Sequence, residues 1–184
     1  MSAYKRTLIF VGIAALILAA AGGVLAADQP IGIEKNAKAS LEKLYASEPA
    51  AKTIAEKAKA ILVFPNVFKA GFLGGAHYGE GVLLQDGRVI AHYNSVAGSF
   101  GLQAGVQVFG YAMFLMTDKA LEYLDRSGGW EIGVGPSIVA VGTGMGKALT
   151  TTTIKEDIYA FIFNQQGLMA GAGIQGSKIT RIDK

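Results

Sequence analysis

Apolar and polar positions follow two different periods along this chain, and the change from one to the other falls near Pro65. From Ile33 to Tyr45 the apolar residues Ile33, Ala37, Leu41, Leu44 and Tyr45 recur at helical spacing, with Lys and Glu among the intervening positions. That spacing predicts an amphipathic helix. Ser47-Glu48-Pro49 then offers a cap residue and a first-turn proline for a second helix. This second helix would turn Ile54, Ala58, Ile61 and Leu62 inward and stop before Pro65. Beyond Pro65 the texture becomes short β-branched and aromatic runs broken by Gly. Gln85-Asp86-Gly87-Arg88, set between Gly81-Val82-Leu83-Leu84 and Val89-Ile90-Ala91-His92-Tyr93, predicts a hairpin, because Asp-Gly tolerates positive φ. Further strands are predicted at Ala104 to Val108, Tyr111 to Met116, Ile132 to Val134, Ser137 to Val141, Leu149 to Ile154, Ile158 to Phe163 and Leu168 to Ile174. Gln165-Gln166-Gly167 reads as the turn joining the last two. Thr117 reads as the N-cap of a short helix from Asp118 to Asp125, with Arg126 near its end and Gly128-Gly129 beyond.

Strands do not alternate with long helices, so the expected class is α+β: a mainly antiparallel sheet with two N-terminal helices and one inserted helix. Glycines inside strand-like runs, at Gly71, Gly74, Gly75, Gly79, Gly81, Gly101, Gly105 and Gly110, call for bends and close backbone approach. The sheet is therefore expected to curl, as a partial barrel does.

The first residues carry a different message. Lys5 and Arg6 precede an uncharged apolar run from Leu8 to Ala21, then Gly22-Gly23-Val24-Leu25-Ala26-Ala27, and Asp28 is the first acid. That order predicts a secretory signal over residues 1–27, cleaved after Ala26 or Ala27. An uncleaved membrane anchor is the alternative, since about twenty apolar residues span a bilayer. Either reading puts a single domain, residues 28–184, outside the cytoplasm, in the periplasm or associated with the envelope. Without Lys5 and Arg6, the 17 basic residues fall to 15 against 14 acids, so the mature charge is near +1. Bases and acids alternate throughout instead of gathering on one face, which argues against nucleic acid as a partner. The chain has no Cys, which excludes disulfides, thiolate nucleophiles, thiolate zinc sites and a lipidated cysteine.

Catalytic patterns are not met. Gly142-Thr143-Gly144-Met145-Gly146-Lys147-Ala148 evokes a phosphate loop, yet Val141 stands where a glycine is required and Ala148 where a magnesium-binding hydroxyl is required. Neither Gly79-Glu80-Gly81 nor Gly133-Val134-Gly135 continues into a dinucleotide fingerprint. His77 and His92 stand apart from any metal-ligand spacing and read as half-exposed strand residues. Ser99, Ser137 and Ser177 lie in no nucleophile elbow, and Glu80, Asp86, Glu131, Glu156 and Asp157 form no assignable carboxylate pair. The expectation is a protein that is not an enzyme and needs neither cofactor nor nucleotide. Lysines are densest from Lys35 to Lys69, although Glu34/Lys38, Lys38/Glu42, Glu48/Lys52 and Lys52/Glu56 stand at pairing distance along a helix.

From Ala58 to Ile182 the sequence resembles the SYLF family. The stretches that carry the resemblance are Lys57-Ala58-Lys59-Ala60-Ile61-Leu62-Val63-Phe64-Pro65, Gly79-Glu80-Gly81-Val82-Leu83 before the Asp86-Gly87 turn, Gly101-Leu102-Gln103-Ala104-Gly105-Val106-Gln107, and a closing motif. That motif is Gln166-Gly167-Leu168-Met169-Ala170-Gly171-Ala172-Gly173-Ile174-Gln175-Gly176-Ser177-Lys178-Ile179. Gln166 stands where the family usually has Lys, and Gln175 where it has Glu. The resemblance implies lipid binding, to phosphoinositides above all, with actin binding in some eukaryotic members. For an exported bacterial domain this narrows to affinity for anionic membrane lipids or for an envelope protein. Lys35, Lys38, Lys52, Lys59, Lys69, Lys178 and Arg181 are the expected headgroup contacts. The rival expectations are a structural module that binds another envelope protein, and a carrier holding an apolar ligand in the curled sheet.

Overall fold

The computed structural model describes residues 30–71, 74–100, 105–126, 130–131, 135–141, 155–167 and 177–183. Two helices come first, α1 (Pro30–Ser47) and α2 (Pro49–Ala55), followed by the long strands β1 (Ala60–Gly71), β2 (Gly74–Gln85), β3 (Arg88–Phe100) and β4 (Gly105–Leu115). After α3 (Asp118–Asp125) come β5 (Trp130–Glu131), β6 (Ile138–Val141), β7 (Ile158–Gly167) and β8 (Lys178–Ile182). The strands form one sheet in the order β5-β8-β3-β2-β1-β4-β7-β6. Among the described residues only the β6–β7 pair is parallel. The architecture is α+β with a mostly antiparallel sheet. That sheet is open among the described residues, edged by β5 and β6, so the expected partial barrel does not close there.

Both faces of the sheet are covered at one end. On one face α1 and α2 seat Ile33, Ala37, Leu41, Leu44, Ala51 and Ile54 against Val63, Val82, Phe114 and Phe161. On the other, Ala120 and Leu124 of α3 close over Leu62, Phe64, Tyr93, Tyr111 and Met113. Each fully buried side chain of this size contributes about 1.5–3 kcal/mol, which makes these two layers the main source of stability.

Several predicted elements have the expected form. The β2–β3 turn places Asp86 at φ 50° and Gly87 at φ 74°, the two positive values a type I′ hairpin requires. Thr117 caps α3 as expected, its hydroxyl accepting from Ala120 N at 3.2 Å. The second helix is shorter than expected. It ends at Ala55, and by Lys59, whose N–H donates to Leu115 O at 2.8 Å, the chain has joined the sheet, with Ala60 starting β1 opposite Leu115. Ile61 and Leu62 are thus strand residues. Ser47 does not cap α2 either: its hydroxyl donates to Leu44 O at 3.2 Å at the end of α1, and Glu48 takes the N-cap position without a side-chain bond. Pro65 lies inside β1, where the register shifts against both neighbours, a bulge that needs no N–H from proline.

Ala104–Val108 and Tyr111–Met116 merge into the single strand β4, and Gln165-Gln166-Gly167, expected as a turn, extends β7 as far as Gly167 opposite Gln107. The strands expected at Ile132 to Val134, Leu149 to Ile154 and Leu168 to Ile174, the glycine-rich loop from Gly142 to Ala148 and the apolar N-terminal segment lie outside the described residues.

Asp157 joins three elements at the apolar end of the sheet. Its carboxylate accepts from Ser137 N at 3.0 Å, Thr117 Oγ1 at 2.9 Å and Lys119 Nζ at 3.2 Å. The backbone bond from Ser137, then that from the Thr117 hydroxyl, hold the Asp157 carboxyl below the usual carboxylate range. Ser137 and Asp157 thus fasten the starts of α3, β6 and β7 together.

Candidate functional site

The glycine-rich end of the sheet is built differently. Past the β1 bulge, residues of one parity continue the layer under α3, and residues of the other parity continue the layer under α1 and α2. At this end the expected polarity of the two faces is exchanged.

On the α3 side, buried positions become polar on five neighbouring strands: Ser177 beside β8, Ser95 on β3, His77 on β2, Lys69 on β1 and Gln107 on β4. Their exposures are 0% for Ser177 and Ser95, 8% for His77 and 5% for Lys69 and Gln107. Lys69 is the register partner of both His77 and Gln107, so three polar side chains stand abreast across β2, β1 and β4. His77 Nε2 and Ser95 Oγ lie 3.3 Å apart, and the edge of His77 meets the Phe109 ring with centroids 6.4 Å apart. Burial first, and the Lys69 charge second, push the His77 imidazole below its ordinary value. Tyr111 Oη lies beside Ser95 but makes no hydrogen bond of ordinary geometry, and burial raises this phenol. Gln107 Oε1 and Ser177 Oγ have no hydrogen-bond partner either among the described residues. Among the described residues no carboxylate pairs with Lys69.

The opposite face of the same strands is apolar and open. Val108 on β4, Phe68 on β1, Tyr78 on β2, Val96 on β3 and Lys178 on β8 are successive register partners, a row that crosses five strands and ends on a lysine. Phe68 is 39% exposed, Tyr78 44%, Val96 46% and the adjacent Val106 61%. The Tyr78 hydroxyl donates to Glu80 Oε1 at 2.8 Å; partial burial, then Glu80, push its pKa up to about 12. α1 and α2 lie on this same side of the sheet and leave the row uncovered.

The lysines expected to meet headgroups divide into three groups. Lys35, Lys38 and Lys52 are exposed on α1 and α2, and Lys178 is exposed at the end of the apolar row. None of the helical pairs Glu34/Lys38, Lys38/Glu42, Glu48/Lys52 and Lys52/Glu56 closes to an ion pair among the described residues, and Glu34 Oε1 lies 3.5 Å from His92 Nε2 instead. Lys59 and Arg181, also exposed, face acids: Lys59 Nζ is 3.0 Å from Asp118 Oδ2, and Arg181 Nη1 is 3.7 Å from Asp125 Oδ1. Lys69 is the exception, because it is buried among polar groups and not presented to solvent. His77 likewise is buried, against the half-exposed position its sequence suggested.

Sequence reasoning missed both the exposed row and the rest of the polar cluster. The available signal was adjacency: Phe68-Lys69, His77-Tyr78, Ser95-Val96 and Val106-Gln107 each join one apolar and one polar residue. Which member points inward depends on the bulge and the register, and neither can be read from one strand alone.

A comparison with curated proteins returns no match. The family model Ysc84, described as Las17-binding protein actin regulator, matches residues 96–184. The Gly101–Gln107 stretch and the closing motif lie inside that match, and Lys57–Pro65 and Gly79–Leu83 precede it. Over residues 96–184 this chain is therefore similar to the Ysc84 family, in keeping with the SYLF resemblance that its motifs carry.

Proposed function

We propose that this chain is a non-catalytic module of the bacterial cell envelope that binds anionic membrane lipids through the α1/α2 side of its sheet. The observation that carries the reading is the exposed row Phe68–Tyr78–Val96, flanked by the half-buried Val108 and ending on Lys178. Phe and Tyr side chains suit the headgroup boundary of a bilayer, where an apolar ring meets lipid and a hydroxyl meets water. Lys178, Lys35, Lys38 and Lys52 add positive charge on the same side, each worth about 1 kcal/mol near an anionic surface. The family description names an actin regulator that binds Las17. An exported domain meets no actin, so the lipid-binding side of the family is the one retained here.

Co-sedimentation with vesicles tests this. Phosphatidylglycerol-containing vesicles should retain the protein, and pure phosphatidylcholine vesicles should retain little. Replacing Lys35, Lys38, Lys52 and Lys178 by Gln removes about 1 kcal/mol each, so binding should fall by up to about a thousandfold and lose most of its salt dependence. Phe68→Thr with Val96→Thr, both on an open strand face, should weaken binding while preserving the circular dichroism spectrum. Equal binding to both vesicle types, or full binding by both variants, would overturn the proposal and leave the row as a docking surface for an envelope protein.

A further inference from the structure

Lys69 and His77 face each other across β1 and β2 as register partners, and both are buried on the α3 side. The neighbouring register pair, Phe68 and Tyr78, stands on the open side of the same two strands. The described groups that face the His77 imidazole are the Lys69 ammonium from β1, the Ser95 hydroxyl from β3 at 3.3 Å and the Phe109 ring from β4. None of them is an acid, and among the described residues no carboxylate pairs with Lys69. A proton gained by His77 would thus bury a second positive charge beside the first with no counter-charge, which a folded interior strongly resists. His92 shows the contrast: its Nε2 lies 3.5 Å from Glu34 Oε1, so a charged imidazole there has a carboxylate at hand.

The sheet can relieve that repulsion locally. The register of β1 shifts between Val63 and Asn66 against β2, and between Phe64 and Val67 against β4. The apolar layers under the helices lie mainly on the Ala60 side of this bulge. Beyond it, residues 66–71 of β1 pair with residues 75–80 of β2, with the polar pair on one face and the exposed row on the other. Segments that bury little apolar surface open ahead of the rest of a fold. We propose that Lys69 and His77 form an acid-sensitive latch: a proton gained by His77 opens the glycine-rich end of β1 and β2, separates Phe68 from Tyr78 on the outer face, and leaves the helix-covered end folded. The row is then intact only while His77 is neutral, and this holds whatever the row binds. The direction follows from linkage. Burial, then the Lys69 charge, hold the folded imidazole below its ordinary value, which the opened segment regains at about 6.5. The opened form therefore binds the proton more readily, and its share grows as pH falls below that value.

Amide hydrogen exchange between pH 7 and pH 5, resolved by segment and corrected for the intrinsic effect of pH, tests the latch on the folded chain. Protection over residues 66–71 and 75–80 should fall by up to about 25-fold, the limit for one extra proton bound by the opened form. Protection over residues 60–63, 111–115 and 158–161, at the helix-covered end, should hold. His77→Gln should remove the acid response. Lys69→Gln should reduce it without removing it, because burial is the larger cause. His92→Gln should leave it in place. If His77→Gln does not fold, the unaltered chain still decides: it has two histidines, so the His77 resonances can be assigned with His92→Gln, and they should titrate in step with the loss of protection. Protection that does not change with pH, equal loss at both ends of the sheet, an acid response that survives His77→Gln, or a proton gained by His77 with protection unchanged would each overturn the proposal.

Discussion

The fold opposes the ionisation of His77. Lys69 faces it from β1, Ser95 from β3 and Phe109 from β4, and none of these favours an imidazolium. Burial, then the Lys69 charge, lower its folded pKa below the ordinary imidazole value of about 6.5 that the unfolded chain retains. Below that value the unfolded chain binds the extra proton and the folded one resists it, so stability falls as pH drops from about 6.5 towards the folded pKa. The melting temperature should therefore decline on acidification from pH 7 to pH 5. A His77→Gln variant should flatten that decline, as scanning calorimetry at several pH values would show. The Asp157 carboxyl, held low by its bonds from Ser137 and Thr117, loses its contribution only in stronger acid, so the two effects occupy separate windows.

At the scale of elements, close approach explains a glycine better than flexibility does. A Cβ at Gly81 would stand 2.5 Å from Val63 O and 2.7 Å from the Phe64 ring, which stacks on Tyr111 with centroids 4.6 Å apart. Gly81→Ala should push β2 away from the β1 bulge and destabilise the chain by about 2 kcal/mol or more, measured by urea unfolding, because backbone cannot step aside as a side chain can. The elements most legible in the sequence were those set by local chemistry: Asp86-Gly87 needs positive φ, and Thr117 finds its donor three residues away. The α2–β1 boundary was not legible. Ala60-Ile61-Leu62-Val63-Phe64 is a short apolar run that suits a helix or a strand equally, and pairing with the distant Leu115 decides between them. Lysines were legible as a type but not as a site, since the strand register past the β1 bulge buries Lys69 whereas Lys35 stays exposed on α1.

Across the whole molecule, the sheet is assembled from segments far apart in the chain. β1, β2 and β3 form a meander of neighbours, but β3 receives its other partner from β8, through pairs such as Ser95 with Ile179 and His92 with Ile182. During synthesis the meander therefore exists for a time with one flank unpaired. At about 5–20 residues per second, roughly 4–16 s separate the completion of Phe100 from the arrival of Lys178. Throughout that interval β3 offers a row of free N–H and C=O groups beside Tyr78 and Val96, a combination that invites pairing with another copy of the chain. A chain stopped before Ser177 would remain in that state and also lack Ile179, which is fully buried under α3. Such a truncated chain should sediment as aggregate under conditions in which the longer one stays dispersed. Residues 178–182 thus act as a closing seal whose late arrival sets how long the growing chain needs protection from its neighbours.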